Sequence, residues 1–437
     1  MLPGMTGRGG HGQAPVPSAV SAPTPSATDG MLETLLDNGI RVRSERIAGV
    51  RSAAVGVWIR QGSAHESVEH TGVSHLLEHM VFKGTEQRSA LEIAESLEAL
   101  GGSLDAYTSR EHTSYQARVL DEHLPIALDV LSDLVLAPTL ADEDLRLERE
   151  VILEEIAQVE DTPDDLVFEL HSDRLWNGHP YGMSILGTKD SVSEMGVDTL
   201  KALHADRYVG SNLLVAAAGS VDHEAFVHRV AAHFDGAPRG TSSPRVLDPG
   251  GTSSGYESVH RDTAQTHIVF GAGAPGHADR DRYGLALLSS ALGGGMSSRL
   301  FQRVREELGL CYSVFTFQSF YDAAGMVGVY VGTRPGSADE AADAVRHELN
   351  RVASEGLSTL DLERIKQQVK GQVMLSLEST GARLHRLASS ALHGEPFLTL
   401  DEVLERIDAV TEDDVRRLAA RYFDPSGHLQ LRLGPAT

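Results

Sequence analysis

Five residues, His75-Leu76-Leu77-Glu78-His79, constrain this chain more than any others. On a helix His75 and His79 are four residues apart and Glu78 is three from His75, so two imidazoles and a carboxylate share one face. The local sequence favours a helix over Gly72 to Lys83. It has no proline, Ser74 stands where an N-cap residue can bond, and Leu76, Leu77, Met80 and Val81 supply an apolar face.

Each residue type has a physical role in a metal site. Neutral imidazole nitrogen is a good zinc ligand, and three protein ligands leave a fourth position for water, whose pKa then falls toward ~7. A glutamate beside the metal takes the proton. The order H-x-x-E-H is the inverted form of the commoner H-E-x-x-H peptidase motif. The third ligand must come from another element pointing back at the metal, and the acidic helix expected over Asp142 to Glu160 is the best source. Within it Glu148 and Glu155 share a face with Val151 and Ile152, while Glu154 faces nearly the same way as Val151 and Leu147. Spacing alone leaves the choice among these carboxylates open.

His75 to Thr85, then Gly101-Gly-Ser-Leu-Asp-Ala-Tyr-Thr-Ser-Arg-Glu-His-Thr113, then the helix from Glu148 to Glu160 resemble the pitrilysin and insulinase family of zinc metallopeptidases. The likeness extends over roughly Leu32 to Leu433. It is strongest to the branch containing the β subunit of the mitochondrial processing peptidase and its bacterial relatives. The resemblance implies that His75, His79 and Glu155 bind Zn2+, that Glu78 is the general base, and that Glu148 orients a ligand. It also implies that Arg305 and Tyr312, in Arg305-Glu-Glu-Leu-Gly-Leu-Cys-Tyr312, help to hold the substrate or its oxyanion. Phe82 matches an aromatic lining the pocket after the scissile bond. Asp165 and Glu169 match acids that bind a substrate arginine, and Ala106 lies on the edge strand that pairs with an extended peptide. Two positions depart from the pattern: Asp105 stands where Asn is common, and Cys311 where Ala is usual.

The sequence also carries an internal repeat. Leu145 to Glu155 aligns with Leu360 to Lys370, which matches Glu148 and Arg149 to Glu363 and Arg364 but puts Lys370 at the place of Glu155. Gly72 to Gly84 lies without gaps on Asp281 to Gly293, where Gly284, Leu287 and Leu288 replace His75, Glu78 and His79. None of these replacements ligates zinc. The repeat therefore predicts one catalytic and one degenerate copy.

At 437 residues, 41% of them hydrophobic, the chain is long enough for two domains. The expected division is a disordered tail over 1–30, a catalytic zinc-binding domain over 31–235, a turn-rich linker over 236–255 and a degenerate second repeat over 256–437. A hairpin is expected over Leu35 to Ile47, turned at Asn38-Gly39. Strands are expected at Ala53 to Gln61, Thr266 to Ala272 and Gly325 to Thr333, and helices at Ser89 to Leu100 and Ala338 to Ser354. The fold class is α+β, with two similar domains forming a clamshell as the resemblance implies, each an antiparallel-rich sheet packed by helices.

The tail holds no apolar run that fits a signal peptide, and no stretch approaches membrane-spanning length. A single cysteine excludes an internal disulfide, and a cytoplasmic location is expected. The net charge of −24 argues against nucleic acid as a partner. The expected activity is zinc-dependent endoproteolysis of short or unfolded peptides in an enclosed chamber. Two repeats need a second chain to close it, so a homodimer, or a heterodimer with an inactive relative, is expected. The alternatives are a non-catalytic scaffold and a subunit whose activity depends on a partner.

Overall fold

The computed structural model describes residues 30–436, so the expected tail lies outside the described residues except for Gly30. Strands β1 (Met31–Leu35), β2 (Arg41–Arg46), β3 (Ser52–Ile59), β4 (Ser103–Thr108), β5 (Thr113–Leu120) and β6 (Leu213–Gly219) form one sheet, ordered β1-β2-β6-β3-β5-β4. A second sheet is built from β7 (Gly255–His260), β8 (Thr266–Ala274), β9 (Cys311–Phe320), β10 (Gly325–Thr333) and β11 (Leu429–Gly434), ordered β7-β11-β8-β10-β9. In each sheet one pair is parallel, β2 with β6 and β7 with β11, and all other pairs are antiparallel. Apart from β1, the second sheet thus repeats the topology of the first.

The helices follow the same repeat. Helices α1 (Val73–Val81) and α2 (Ala90–Glu98) connect β3 to β4. Five more, α3 (Leu124–Leu136), α4 (Asp142–Asp161), α5 (Pro163–Trp176), α6 (Lys189–Glu194) and α7 (Val197–Arg207), precede β6, and α8 (His223–His233) follows it. In the second half α9 (Asp281–Gly293) and a π-helix, Phe301–Glu307, connect β8 to β9. Helices α10 (Ala338–Glu355), α11 (Thr359–Ser376), α12 (Thr380–Leu392), α13 (Leu400–Asp408) and α14 (Glu412–Tyr422) connect β10 to β11. Helix α1 packs on α4, and α9 packs on α11 in the same way. At the degenerate positions Leu287 and Leu288 are fully buried and Gly284 is pressed against Leu418, while Lys370 Nζ lies 2.7 Å from Asp408 Oδ1. The second copy uses these places for packing and an ion pair.

Both sheets are covered on two faces, and the sequence of β6, Leu-Leu-Val-Ala-Ala-Ala-Gly, shows why. Successive side chains of a strand point to opposite faces. Val215 and Ala217 enter the main core of the first half, with α1 and α3. Leu214, Ala216 and Ala218 face the other way, and with Ala54 and Trp58 they are covered by Leu384, Leu387, Ala388 and Ala391 of α12. That helix comes from the far half of the chain. The loan is returned by α5, whose Leu166 and Val167 pack on Val269, Leu431 and Leu433 of the second sheet. Burying one such leucine stabilises by roughly 2 kcal/mol, so each exchanged helix is a strong tie between the halves.

Polar contacts fix the exchange. Arg43, which is buried, donates to Leu387 O at 2.9 Å and to Ser390 Oγ at 2.6 Å, and Arg60 donates to Ala391 O at 2.5 Å. Arg383 pairs with Glu45 on β2. Elsewhere between the halves, Glu111 accepts from Tyr181 Oη at 2.6 Å and from Asp322 N at 2.9 Å. The result is an α+β clamshell of two similar halves. Among the described residues, no helix is long and apolar enough to cross a membrane.

Candidate metal centre

The expected start of α1 needs one correction. Ser74 is not its N-cap: Gly72 holds that place, at φ +92°, with no side-chain cap. A Cβ there would come within 2.6 Å of Leu186 O, so glycine is required twice over, by its conformation and by its neighbour. Capping comes instead from Glu66, whose carboxylate accepts from Gly72 N at 2.7 Å and from Ser74 N at 2.8 Å. Its negative charge also complements the helix N-terminus. Burial pushes the Glu66 carboxyl up to about 7, against the lowering effect of these donors. The Ser74 hydroxyl accepts from Gln61 Nε2 at 3.1 Å.

One turn further on, the His75 and His79 rings stand 4.6 Å apart between centroids. Glu155 of α4 faces both, with Oε2 3.8 Å from His75 Nε2 and Oε1 3.8 Å from His79 Nε2. One donor atom from each of the three residues lies within 4.8 Å of the others. Behind this group His79 Nδ1 is 3.1 Å from Glu148 Oε2, and Lys83 Nζ is 2.5 Å from Glu148 Oε1. A carboxylate accepts only, so Nδ1 of His79 carries the proton and Nε2 presents a lone pair. Burial, and then the neighbouring His79, push His75 down to about 4, leaving it neutral near pH 7.

A metal fits these residues. Glu155 Oε2 and His75 Nδ1 are buried without a hydrogen-bond partner, a cost that ligation can offset at the carboxylate. Two imidazoles and a carboxylate are also the donor set of a catalytic zinc site. The other acids of α4 face elsewhere: Glu154 is exposed, as are Leu147 and Val151, so Val151 does not share the inward face that spacing suggested. Glu78 is 8% exposed, its carboxyl is raised by burial, and its Oε2 accepts from Thr108 Oγ1 at 2.5 Å.

The remaining sequence-predicted residues lie at the C-terminal end of α1 and on β4, α5, the π-helix and β9. Phe82 caps α1 at its C-terminus, its ring 6.0 Å from that of Tyr115. Ala106 lies on β4, the edge strand of the first sheet, in register with Tyr115, and the neighbouring Asp105 is exposed. Asp165 is exposed on α5 and Glu169 half-buried. The guanidinium of Arg305 lies 4.6 Å from the Phe301 ring and 4.8 Å from the Tyr312 ring, and Tyr312 is 76% exposed. Those two residues therefore meet each other rather than the histidines. Burial pushes the Cys311 thiol up to about 11, which removes it as a nucleophile.

Other histidines in the matching segments have structural partners. His171 Nε2 bonds Leu429 O at 3.1 Å, His179 Nε2 bonds Leu247 O at 2.9 Å, and His112 Nε2 lies 3.2 Å from Tyr107 Oη. Sequence reasoning missed Glu66, Lys83 and Thr108. Lys83 and Thr108 lie inside the motif segments and Lys83 follows His79 by one helical turn, which was a usable signal. Glu66 acts across a loop and leaves no local pattern.

Comparison with known proteins agrees with this geometry. Residues 41–189 match the insulinase (peptidase family M16) model, and residues 195–369 match the peptidase M16 inactive domain. The chain is 39% identical over 393 residues to an uncharacterized zinc protease of Streptomyces coelicolor, covering 88% of this chain and 86% of that one. It is 38% identical over 386 residues to the uncharacterized zinc protease YmxG of Bacillus subtilis, covering 88% and 94%. The fold is shared with a peptidase M16 inactive domain from Pseudomonas fluorescens, at a TM-score of 0.88 and 20% identity over 93% of this chain and 98% of that one. It is shared too with a protease from Helicobacter pylori, at a TM-score of 0.86 and 21% identity over 93% and 99%. With the two family models and these relatives spanning nearly the whole described chain, this protein belongs to the insulinase (M16) family of peptidases.

Proposed function

We propose that this chain is a zinc-dependent endopeptidase that cuts short or unfolded peptides laid along the open edge of β4. The observation that carries the reading is the convergence of His75, His79 and Glu155, with Glu148 fixing the His79 tautomer, beside a buried Glu78. His75, His79 and Glu155 would hold the ion. A zinc ion there supplies Lewis acidity, polarising a substrate carbonyl and acidifying water.

The protein groups do the rest. Glu78 accepts Thr108 at Oε2, which leaves Oε1 to take a proton from the attacking water and return it to the departing amine. Burial raises its carboxyl, which makes that return easier. The free edge of β4 offers backbone groups that a peptide can pair with as an added strand. Phe82 would line the pocket after the scissile bond, and Asp165 and Glu169 would favour a basic residue. Arg305 and Tyr312 would reach the substrate from the second half, and a second chain would complete the enclosure.

The test is zinc content and cleavage of a quenched peptide library, for wild type beside Glu78→Gln. The expected result is about one zinc per chain in both proteins, with cleavage reduced by roughly 10²–10⁴-fold in the variant. Absence of zinc from wild type overturns the ligand assignment. Zinc without cleavage points to a chain that needs a partner, and sedimentation then reads the assembly.

A further inference from the structure

Glu78 has one hydrogen-bond donor among the described residues, and it comes from another element: Thr108 Oγ1, at 2.5 Å from Oε2. Thr108 is the last residue of β4, the strand at the edge of the first sheet. Its single hydroxyl proton has two nearby acceptors. Thr113 Oγ1 is 3.4 Å away, a long contact, and its own proton is given to Gln61 O at 2.9 Å. The short bond to the carboxylate is therefore the one that uses the Thr108 proton.

A glutamate side chain has three rotatable bonds, and one facing a metal site has more than one staggered choice. A base that takes a proton from water needs its free oxygen held in place, because small displacements at the reacting atoms cost rate steeply. The Thr108 hydroxyl does this by occupying Oε2. Its backbone also belongs to the strand whose other edge is open, so the residue touches the base with its side chain and lies on the surface where a peptide would pair.

We propose that Thr108 is a positioning residue for the reaction, which locks the Glu78 carboxylate and ties its orientation to the substrate-pairing edge of β4. This rests on the peptidase reading above. The same hydroxyl would serve no purpose in zinc binding itself, since it touches none of His75, His79 or Glu155.

The test compares Thr108→Val, which keeps the branched shape without a donor, with Thr108→Ser, which keeps the donor. In Thr108→Val the expected result is a kcat reduced about 10–100-fold, KM within about two-fold of wild type, unchanged zinc affinity by chelator competition and an unchanged melting temperature. Thr108→Ser is expected to recover kcat to within a few-fold. A Thr108→Val protein with wild-type kcat overturns the proposal while leaving the peptidase reading intact. Equal losses in Val and Ser variants, or a Val variant that loses zinc, also overturn it, because the hydroxyl would then be structural. Should Thr108→Val not fold, Ser against Ala at the same position gives the same contrast. A wild-type protein that binds no zinc or cuts nothing removes the peptidase reading and this proposal together.

Discussion

Glu148 is bonded on one side to His79 and on the other to Lys83, so a buried carboxylate of α4, seven residues before Glu155, decides which nitrogen of His79 is free. Replacing it with Gln keeps the shape and makes the carboxylate an amide, which loses the charge that favours Nδ1–H. Glu148→Gln is expected to weaken zinc binding by about 10–100-fold. Competition with a coloured chelator measures this directly, and an unchanged affinity would show that the tautomer is set by something else.

Glu66 gives a prediction about pH. Its carboxyl has an ordinary value of 4.5 and is raised to about 7 by burial. Between those values the folded chain holds a proton that the unfolded chain has released. Stability from this group is therefore full below about pH 4.5 and is lost as pH rises to about 7, by an amount on the order of 3 kcal/mol. Glu66→Gln cannot titrate. Urea titrations of the zinc-free protein at several pH values should show wild type losing stability relative to the variant across that window, and parallel curves would contradict the assignment.

How much of this could be read from the amino acids depends on distance along the chain. The zinc helix was legible because its ligands are four residues apart and its apolar residues share a period. The α+β class follows from strand and helix patterns such as Gly325 to Thr333 and Ala338 to Ser354, whose bounds the structure reproduces to within one residue. Spacing alone did not choose Glu155 over Glu154, because neighbours on one helix differ by only 100° and both lie near an apolar residue. The choice needs the position of α1. Ser74 fits a local rule for a cap that expects a local partner, whereas Gly72 is the N-cap residue and the capping carboxylate, Glu66, arrives from a preceding turn. The exchange of α5 and α12 leaves no trace in either helix, since an apolar face does not say which sheet it will cover.

That exchange makes a packing prediction. Leu387 is fully buried between α12 and the first sheet. Leu387→Ala should cost about 2–5 kcal/mol. The two tryptophans report on different places, Trp58 in the α12 contact and Trp176 beside Tyr321 of the second half. Single-tryptophan variants are expected to unfold at one shared urea midpoint, and two separate midpoints would mean that the halves unfold independently.

Cys311 should be a poor target for alkylation. Its thiol is raised to about 11 by burial, so little thiolate exists near pH 7. Iodoacetamide is expected to label the folded protein far more slowly than the urea-unfolded one, while peptide cleavage survives the treatment. Rapid labelling of the folded chain would show that the site is open.

The crossed helices also limit how such a protein can be taken apart. Residues 236–254 carry no helix or strand and run between the two sheets, so they look like the natural place to divide the molecule into two modules. A cut there would leave α5 on a fragment without the sheet it covers and α12 on a fragment without the sheet it needs. Each piece would expose an apolar sheet face and carry a greasy helix with nowhere to lie. Recombining the halves of two relatives would meet the same obstacle, since the sheet and the helix that seals it must change together. The unit that evolution can exchange is therefore the whole interlocked pair.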